Sequence, residues 1–146
     1  IIVSSLDYLS KQGKFDIFAF VIMPNHIHLI WRINEKNGKE TSQGSFLKFT
    51  AHEFKKKLRE SNIESLSSYK VDALNKKYEF WQRDSLAVPL YTKEVALQKL
   101  DYIHGNPLAE HWNLVNDPCD YKYSSAKYYE SGQKDFDFLK DLLAEF

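Results

Sequence analysis

Apolar positions along this chain change their spacing several times, and each change marks a structural element. Ile1, Ile2, Leu6 and Leu9 recur at helical spacing and stop near Gly13, a residue suited to closing a helix. Phe15 to Ile22 is a continuous apolar run rich in Phe, Val and Ile, which predicts a buried strand. Met23-Pro24-Asn25 reads as a tight turn, because proline presets φ at the second position and asparagine tolerates a left-handed third. His26 to Ile33 then predicts the returning strand of a β-hairpin.

Asn34 to Ser45 is polar, holds Gly38 and Gly44, and predicts a loop. Phe46, Phe49, Phe54 and Leu58 mark one side of a helix that carries Lys48, Lys55, Lys56, Lys57 and Arg59 elsewhere. Ser61 to Lys77 has weak periodicity and reads as an excursion. Tyr78 to Leu90 holds Phe80, Trp81, Val88 and Leu90, broken by Arg83, Asp84 and Pro89, and predicts strand-like pieces. Thr92 is a good N-cap with Glu94 in the first turn, and Val95, Leu97, Leu100 and Ile103 continue a helix that must stop near Pro107. Trp112 to Val115 is a short apolar run and Asn116-Asp117-Pro118 a turn. Ser124 to Tyr129 opens a further helix, and Phe136 to Phe146 is a last amphipathic segment. Without a repeat, a low-complexity tract or a linker, one domain over residues 1–146 is expected.

Composition narrows the class. A chain of 146 residues with 43% hydrophobic and 27% charged positions is an ordinary globular domain with enough apolar material for a core. A formal net charge of zero counts against a strongly basic nucleic-acid binder, although charge placement rather than total decides steering. A single cysteine, Cys119, excludes an internal disulfide and fits a reducing compartment. The longest apolar stretch, Phe15 to Ile33, is interrupted by Asp16, Pro24, Asn25, His26, His28 and Arg32, so it predicts no membrane helix. Nor does the opening look like a signal peptide, which leaves the cytoplasm as the default.

Two constellations carry chemistry. In His26-Ile27-His28, strand geometry points both imidazoles to one face, a two-point grip on a divalent cation that leaves positions open for substrate and water. Two hydrogen-bonded histidines on a half-buried strand would leave the same pattern. In Tyr102-Ile103-His104-Gly105-Asn106-Pro107, Tyr102 and Asn106 are four apart and share a helical face if the last turn reaches Asn106. A phenol is a weak nucleophile at its ordinary pKa near 10, and a cation on a phosphate would help it by making phosphorus more electrophilic. A core tyrosine and a helix-end asparagine would read the same way. His104 faces away from Tyr102 as a packing or surface residue, and His52 and His111 belong to no motif.

Here the residues carry a resemblance. Phe18-Ala19-Phe20-Val21-Ile22-Met23-Pro24-Asn25-His26-Ile27-His28-Leu29-Ile30 resembles the signature of the HUH-type single-tyrosine transposases, particularly the branch associated with repetitive extragenic palindromes. Leu100 to Leu108 is similar to that family's tyrosine helix, Tyr121 to Ala126 to the segment after it, and Phe80-Trp81-Gln82-Arg83 also fits. The matches run in family order from about Asp16 to Tyr129.

The resemblance implies an α+β, ferredoxin-like antiparallel sheet with helices packed on one face. It implies His26, His28 and Asn106 as metal ligands, magnesium or manganese as the metal, and Tyr102 as the nucleophile. By ligand preference alone, two imidazoles and an amide suit zinc or manganese better than magnesium. The implied partner is single-stranded or hairpin DNA, cleaved and rejoined through a 5′-phosphotyrosine without a nucleotide cofactor. The resemblance leaves monomer and homodimer both open. Family members carry a strand ahead of the first helix, so the native N-terminal strand is expected to lie outside this sequence.

The lysine stretch Lys48, Lys55, Lys56, Lys57 and Arg59 is the expected phosphate contact, with a solvated helix face as the equal alternative. Arg32 and Arg83 are weaker candidates. Tyr121, Tyr123, Tyr128 and Tyr129 could stack on bases, with packing the more ordinary role. Three other functions share these residues: a palindromic-DNA-binding module without chemistry, a replication-initiator-like HUH nuclease, and a metal-dependent phosphoesterase indifferent to Tyr102.

Overall fold

The computed structural model describes residues 1–83 and 85–146. Its architecture is α+β, and the chain forms two compact units, Ile1–Lys14 with Glu35–Ala87 and Phe15–Asn34 with Val88–Phe146.

The first unit is helical. α1 spans Ile2–Lys11 and buries Ser5, Leu6 and Leu9 on one stripe. Gly13 follows at φ +72°, a left-handed conformation that glycine adopts without a Cβ penalty. α2, Ser42–Ser61, packs against α1 and takes in the last four residues of the expected loop. Thr41 causes the early start, its hydroxyl accepting the Gly44 N–H at 3.0 Å as an N-cap. The buried stripe of α2 runs through Phe46 and Thr50 rather than Phe49, which is 51% exposed. Thr50 is fully buried because its hydroxyl accepts the Trp81 indole N–H at 2.9 Å while donating to the Phe46 carbonyl. α3 is a single short helix, Ile63–Ser67, capped by Asn62. The strand-like pieces expected over Tyr78–Leu90 reduce, among the described residues, to one bridge between Lys70 and Tyr78. Asp84, expected to interrupt them, lies outside the described residues.

The second unit is built on the hairpin. β1, Phe15–Ile22, pairs antiparallel with β2, Ile27–Ile33, from Phe15 opposite Ile33 to Ile22 opposite Ile27, with an irregularity between Ile17 and Ala19. Met23 N–H donates to the His26 carbonyl at 2.8 Å to close the turn. Asn25 keeps a negative φ, contrary to the left-handed expectation, and Asn113 is the non-glycine residue at positive φ among those described. The other edge of β1 is not left bare. Ile22 N–H donates to the Tyr123 carbonyl, Ser125 N–H to the Phe20 carbonyl, and Lys140 N–H to the Ile17 carbonyl. The regular sheet therefore has two strands, extended by single bridges to Ser124 and Leu139.

α4, Lys93–Gly105, starts at Thr92, whose hydroxyl accepts the Val95 N–H, and packs on β1. Ala96, Leu100 and Ile103 turn inward, whereas Val95 and Leu97, expected on that stripe, are partly exposed. Spacing alone cannot choose between the two stripes, because Leu100 and Ile103 belong to both. A 3-10 turn, Asn106–Leu108, continues the helix past its end. α5, Ala126–Ser131, ends at Gly132 in a left-handed conformation. Phe18, Ala19, Val21, Met23, Ile30, Ala96, Leu100, Ile103 and Leu142 form the core of this unit. The buried Asp16 carboxylate ties it at the edge, accepting from Arg32 and Lys140 at 2.6 Å each. Burial alone would raise that carboxyl, but the bonds from Lys140, Arg32 and Asn34 outweigh it and hold it below the ordinary range.

Candidate metal and nucleophile site

His26, His28, Tyr102 and Asn106 lie together in the second unit, at the turn end of the hairpin and the C-terminal end of α4. The His26 and His28 ring centroids are 5.0 Å apart. Tyr102 meets His28 edge to face with 5.6 Å between centroids. It is 60% exposed, which removes the core-aromatic reading. Tyr121 and Tyr129 are committed instead, their hydroxyls donating to the Ile22 and Phe18 carbonyls at 2.6 and 2.7 Å. Burial pushes the Tyr129 phenol up to about 12, so it serves packing and not acid–base chemistry.

The hydrogen bonds around His26 orient its lone pair. Nδ1 is 2.6 Å from the Asn25 side-chain oxygen, which only accepts, so the neutral ring carries its proton on Nδ1. Nε2 is then an unprotonated acceptor facing the Asn106 side-chain oxygen at 3.4 Å. The Asn106 amide is held that way round because its Nδ2 donates to the Tyr102 carbonyl at 3.1 Å. In that tautomer the Nε2 lone pair faces the Asn106 oxygen, an arrangement that a cation would relieve. Partial burial, then the neighbouring His26, push the His28 imidazole below its ordinary value, so at pH 7 it is neutral. A carbonyl accepting the far N–H of a ligating imidazole is the usual second support of a metal site. The donor set fits a divalent cation. It does so through an amide oxygen, since the described residues contain no cluster of three His, Cys, Asp or Glu side chains.

Three neighbours of the site were given no role in it by the sequence. Asn25 fixes the His26 tautomer. Trp112 flanks His26 at 6.0 Å between centroids. The Lys99 ammonium stands 5.9 Å from the centre of the Tyr102 ring, a cation beside the phenol. Only Lys99 had a readable signal, lying three residues before Tyr102 on one helix.

His104 is buried and faces away from these groups, its Nε2 2.7 Å from the Ser125 hydroxyl. Burial pushes its imidazole down to about 4. Arg32 is engaged by Asp16 and Glu145 at 2.6 Å each. The lysine stretch belongs to the other unit. There Lys48 pairs with Glu40 at 2.7 Å and Lys55 lies over the Tyr78 ring, while Lys56, Lys57 and Arg59 are exposed or edge positions of α2. His52 is exposed on the same helix, and His111 meets Trp112 at a tilt, 5.6 Å between centroids.

Comparisons with protein-family models, curated proteins and solved structures returned no match for the chain. Among the described residues, no helix is long and apolar enough to cross a membrane.

Proposed function

We propose that the protein is a metal-dependent single-tyrosine DNA strand transferase of the HUH type, with a ferredoxin-like sheet built around the β1–β2 hairpin. The observation that carries this reading is the exposed Tyr102 phenol packed against His28, beside the inward-facing lone pairs of His26 and Asn106. A cation bound there would polarise a DNA phosphate and offset the charge developing on it. His26, His28 and Asn106 hold that position, and Asn25 and the Tyr102 carbonyl keep two of them aimed. The Tyr102 oxygen attacks phosphorus, forming a phosphotyrosine at the 5′ side and releasing a 3′-hydroxyl. The reverse attack by a 3′-hydroxyl reseals the strand, so the phosphodiester energy is kept. Lys99, beside the phenol, meets the non-bridging phosphate oxygens.

The experiment is incubation of the protein with hairpin-forming single-stranded DNA and magnesium or manganese, followed by denaturing electrophoresis. A covalent protein–DNA adduct is expected from the unmutated chain and none from Tyr102→Phe. Cleavage without an adduct, unaffected by Tyr102→Phe, would establish the phosphoesterase instead. DNA binding with neither cleavage nor adduct would leave a binding module.

A further inference from the structure

The imidazole pair is the middle of a longer row of rings, of which the attack by Tyr102 uses one end. Tyr102 meets His28 at 5.6 Å between centroids, and His28 meets His26 at 5.0 Å. His26 in turn meets Trp112 at 6.0 Å, and Trp112 meets His111 at 5.6 Å. Tyr102 reaches the pair through His28 and Trp112 reaches it through His26, so phenol and indole stand at opposite ends of the pair.

Trp112 is half-buried, packed against the core that Leu100 and Ile103 help to form. The turn that carries it is held from within. Its own N–H and that of Asn113 both donate to the Ala109 carbonyl at 2.8 Å, and Leu114 N–H donates to the Pro107 carbonyl at 2.9 Å. Asn113 follows at φ +43°, a left-handed conformation uncommon outside glycine, and turns the chain back.

Core packing does not account for the polar end of this indole. Its N–H has no hydrogen-bond acceptor among the described residues, and no buried side-chain nitrogen among them lacks a partner, so this one is open to solvent. Trp81, by contrast, donates its indole N–H to Thr50 at 2.9 Å. An open indole with a free donor offers a stacking face for any base and one hydrogen bond to an oxygen or ring nitrogen beside it.

The direction of the reaction says which nucleotide would meet it. Attacking and leaving oxygens of a phosphoryl transfer stand roughly in line. With Tyr102 attacking from the His28 end, the leaving 3′-oxygen points toward the His26 end, where Trp112 stands. The tyrosine oxygen–phosphorus bond forms as the phosphorus–O3′ bond breaks. The phenol proton passes to solvent, and the departing oxygen takes one up as a 3′-hydroxyl. No covalent bond then ties that strand to the protein, so resealing needs a non-covalent hold on it.

We propose that Trp112 is the subsite for the nucleotide on the leaving side of the cut, stacking on its base and keeping the 3′-hydroxyl within reach of the phosphotyrosine. The ligand and the resealing role rest on the strand-transfer reading, whereas binding at Trp112 is measurable without it.

The first arm of the test uses the full chain carrying Tyr102→Phe, with magnesium, so that binding is read without chemistry. Indole N–H signals are followed by heteronuclear NMR as a short single-stranded oligodeoxyadenylate with a free 3′-hydroxyl is added. Trp112→Phe identifies the Trp112 signal by its loss. That signal is expected to move and the Trp81 signal to stay. Trp112→Ala should weaken binding roughly 5- to 150-fold, the range for loss of one stacked base. Trp112→Phe, which keeps a ring, should weaken it less, and this separates lost stacking from a damaged fold. The second arm restores Tyr102 and follows adduct and resealed strand at saturating hairpin DNA. In Trp112→Ala the resealed strand obtained per adduct should fall, because the freed 3′ strand escapes. An unmoved Trp112 signal, or an unaltered yield of resealed strand per adduct, overturns the proposal. A moved signal with ring-dependent affinity, in a chain whose unmutated form makes no adduct, would sink the strand-transfer reading and the resealing role with it, leaving the stacking subsite standing.

Discussion

Removing the Ser125 hydroxyl should destabilise the second unit more than a single methyl-sized change ordinarily does. Ser125 is 1% exposed, and its Oγ lies 2.7 Å from His104 Nε2 and accepts the Phe20 backbone N–H at 3.0 Å. Ser125→Ala leaves both groups unsatisfied, and each buried orphan costs about 1–3 kcal/mol. The sum is about 2–6 kcal/mol, and the lower part of that range applies because His104, at 8% exposure, can reach some water. In urea at pH 7, with a slope near 2 kcal/mol per molar, the expected fall in midpoint is roughly 1–2 M. Tryptophan fluorescence suits the measurement. A fall below about 0.3 M with an unchanged slope would refute the claim that this hydroxyl satisfies two buried groups.

Acid provides a second arm. His104 stays neutral down to about 4 in the fold, whereas an unfolded histidine titrates at 6.5. Between those values the unfolded chain binds the extra proton. Its stabilising contribution is thus complete above pH 6.5, declines as pH falls toward 4, and is gone below. A gap of that size corresponds to about 3 kcal/mol. The His28 shift has the same sign, so the His104→Gln variant isolates the His104 part: its loss of stability from pH 7 to 4 should be smaller by about that amount. Equal pH dependence in the two proteins would contradict the buried-neutral assignment.

Thr50→Val should cost about 1–3 kcal/mol by orphaning the Trp81 indole N–H, read as a lower thermal midpoint, whereas Thr50→Ser should cost less because it keeps the acceptor. Replacing Lys56, Lys57 and Arg59 by Gln should flatten the salt dependence of single-strand binding by about 0.7 for each phosphate no longer neutralised, measured as log affinity against log salt; an unchanged slope would mark them as a solvated face. Divalent-metal affinity, followed by calorimetry, should fall as the histidines protonate, and the depressed His28 keeps its lone pair available further into acid than an unperturbed histidine would. Affinity that is flat from pH 7 to 5, or unaltered in His28→Ala, would detach the metal from this pair.

The hairpin, α1 and α4 were legible in the chain because each rests on local physics: a continuous apolar run, a helical stripe, a threonine cap. Strand alternation predicted His26 beside His28, and the rings do lie 5.0 Å apart, although β2 begins at Ile27 and the hairpin turn carries His26; helical spacing predicted Asn106 near Tyr102, and its amide meets the Tyr102 backbone carbonyl from the 3-10 turn after α4. Elsewhere local rules ran out. Phe49 and Thr50 both sit beside the α2 stripe, and the indole of Trp81, 31 residues away, decides that threonine goes inward. Val95 and Leu97 gave up their expected burial to Ala96, which is fully buried on α4, the helix that packs on β1. Whether Tyr78–Leu90 forms strands depends on a partner edge, which no spacing within that segment encodes.

The amino-acid order by itself determined which side chains could act together within one element, since helix and strand periods are intrinsic to the backbone. Only the tertiary structure brought the hairpin turn against the end of α4, 80 residues apart, and turned the His26 nitrogen toward the Asn106 oxygen. That step depends on packing of buried faces between distant segments, a property of the whole fold that no local window contains.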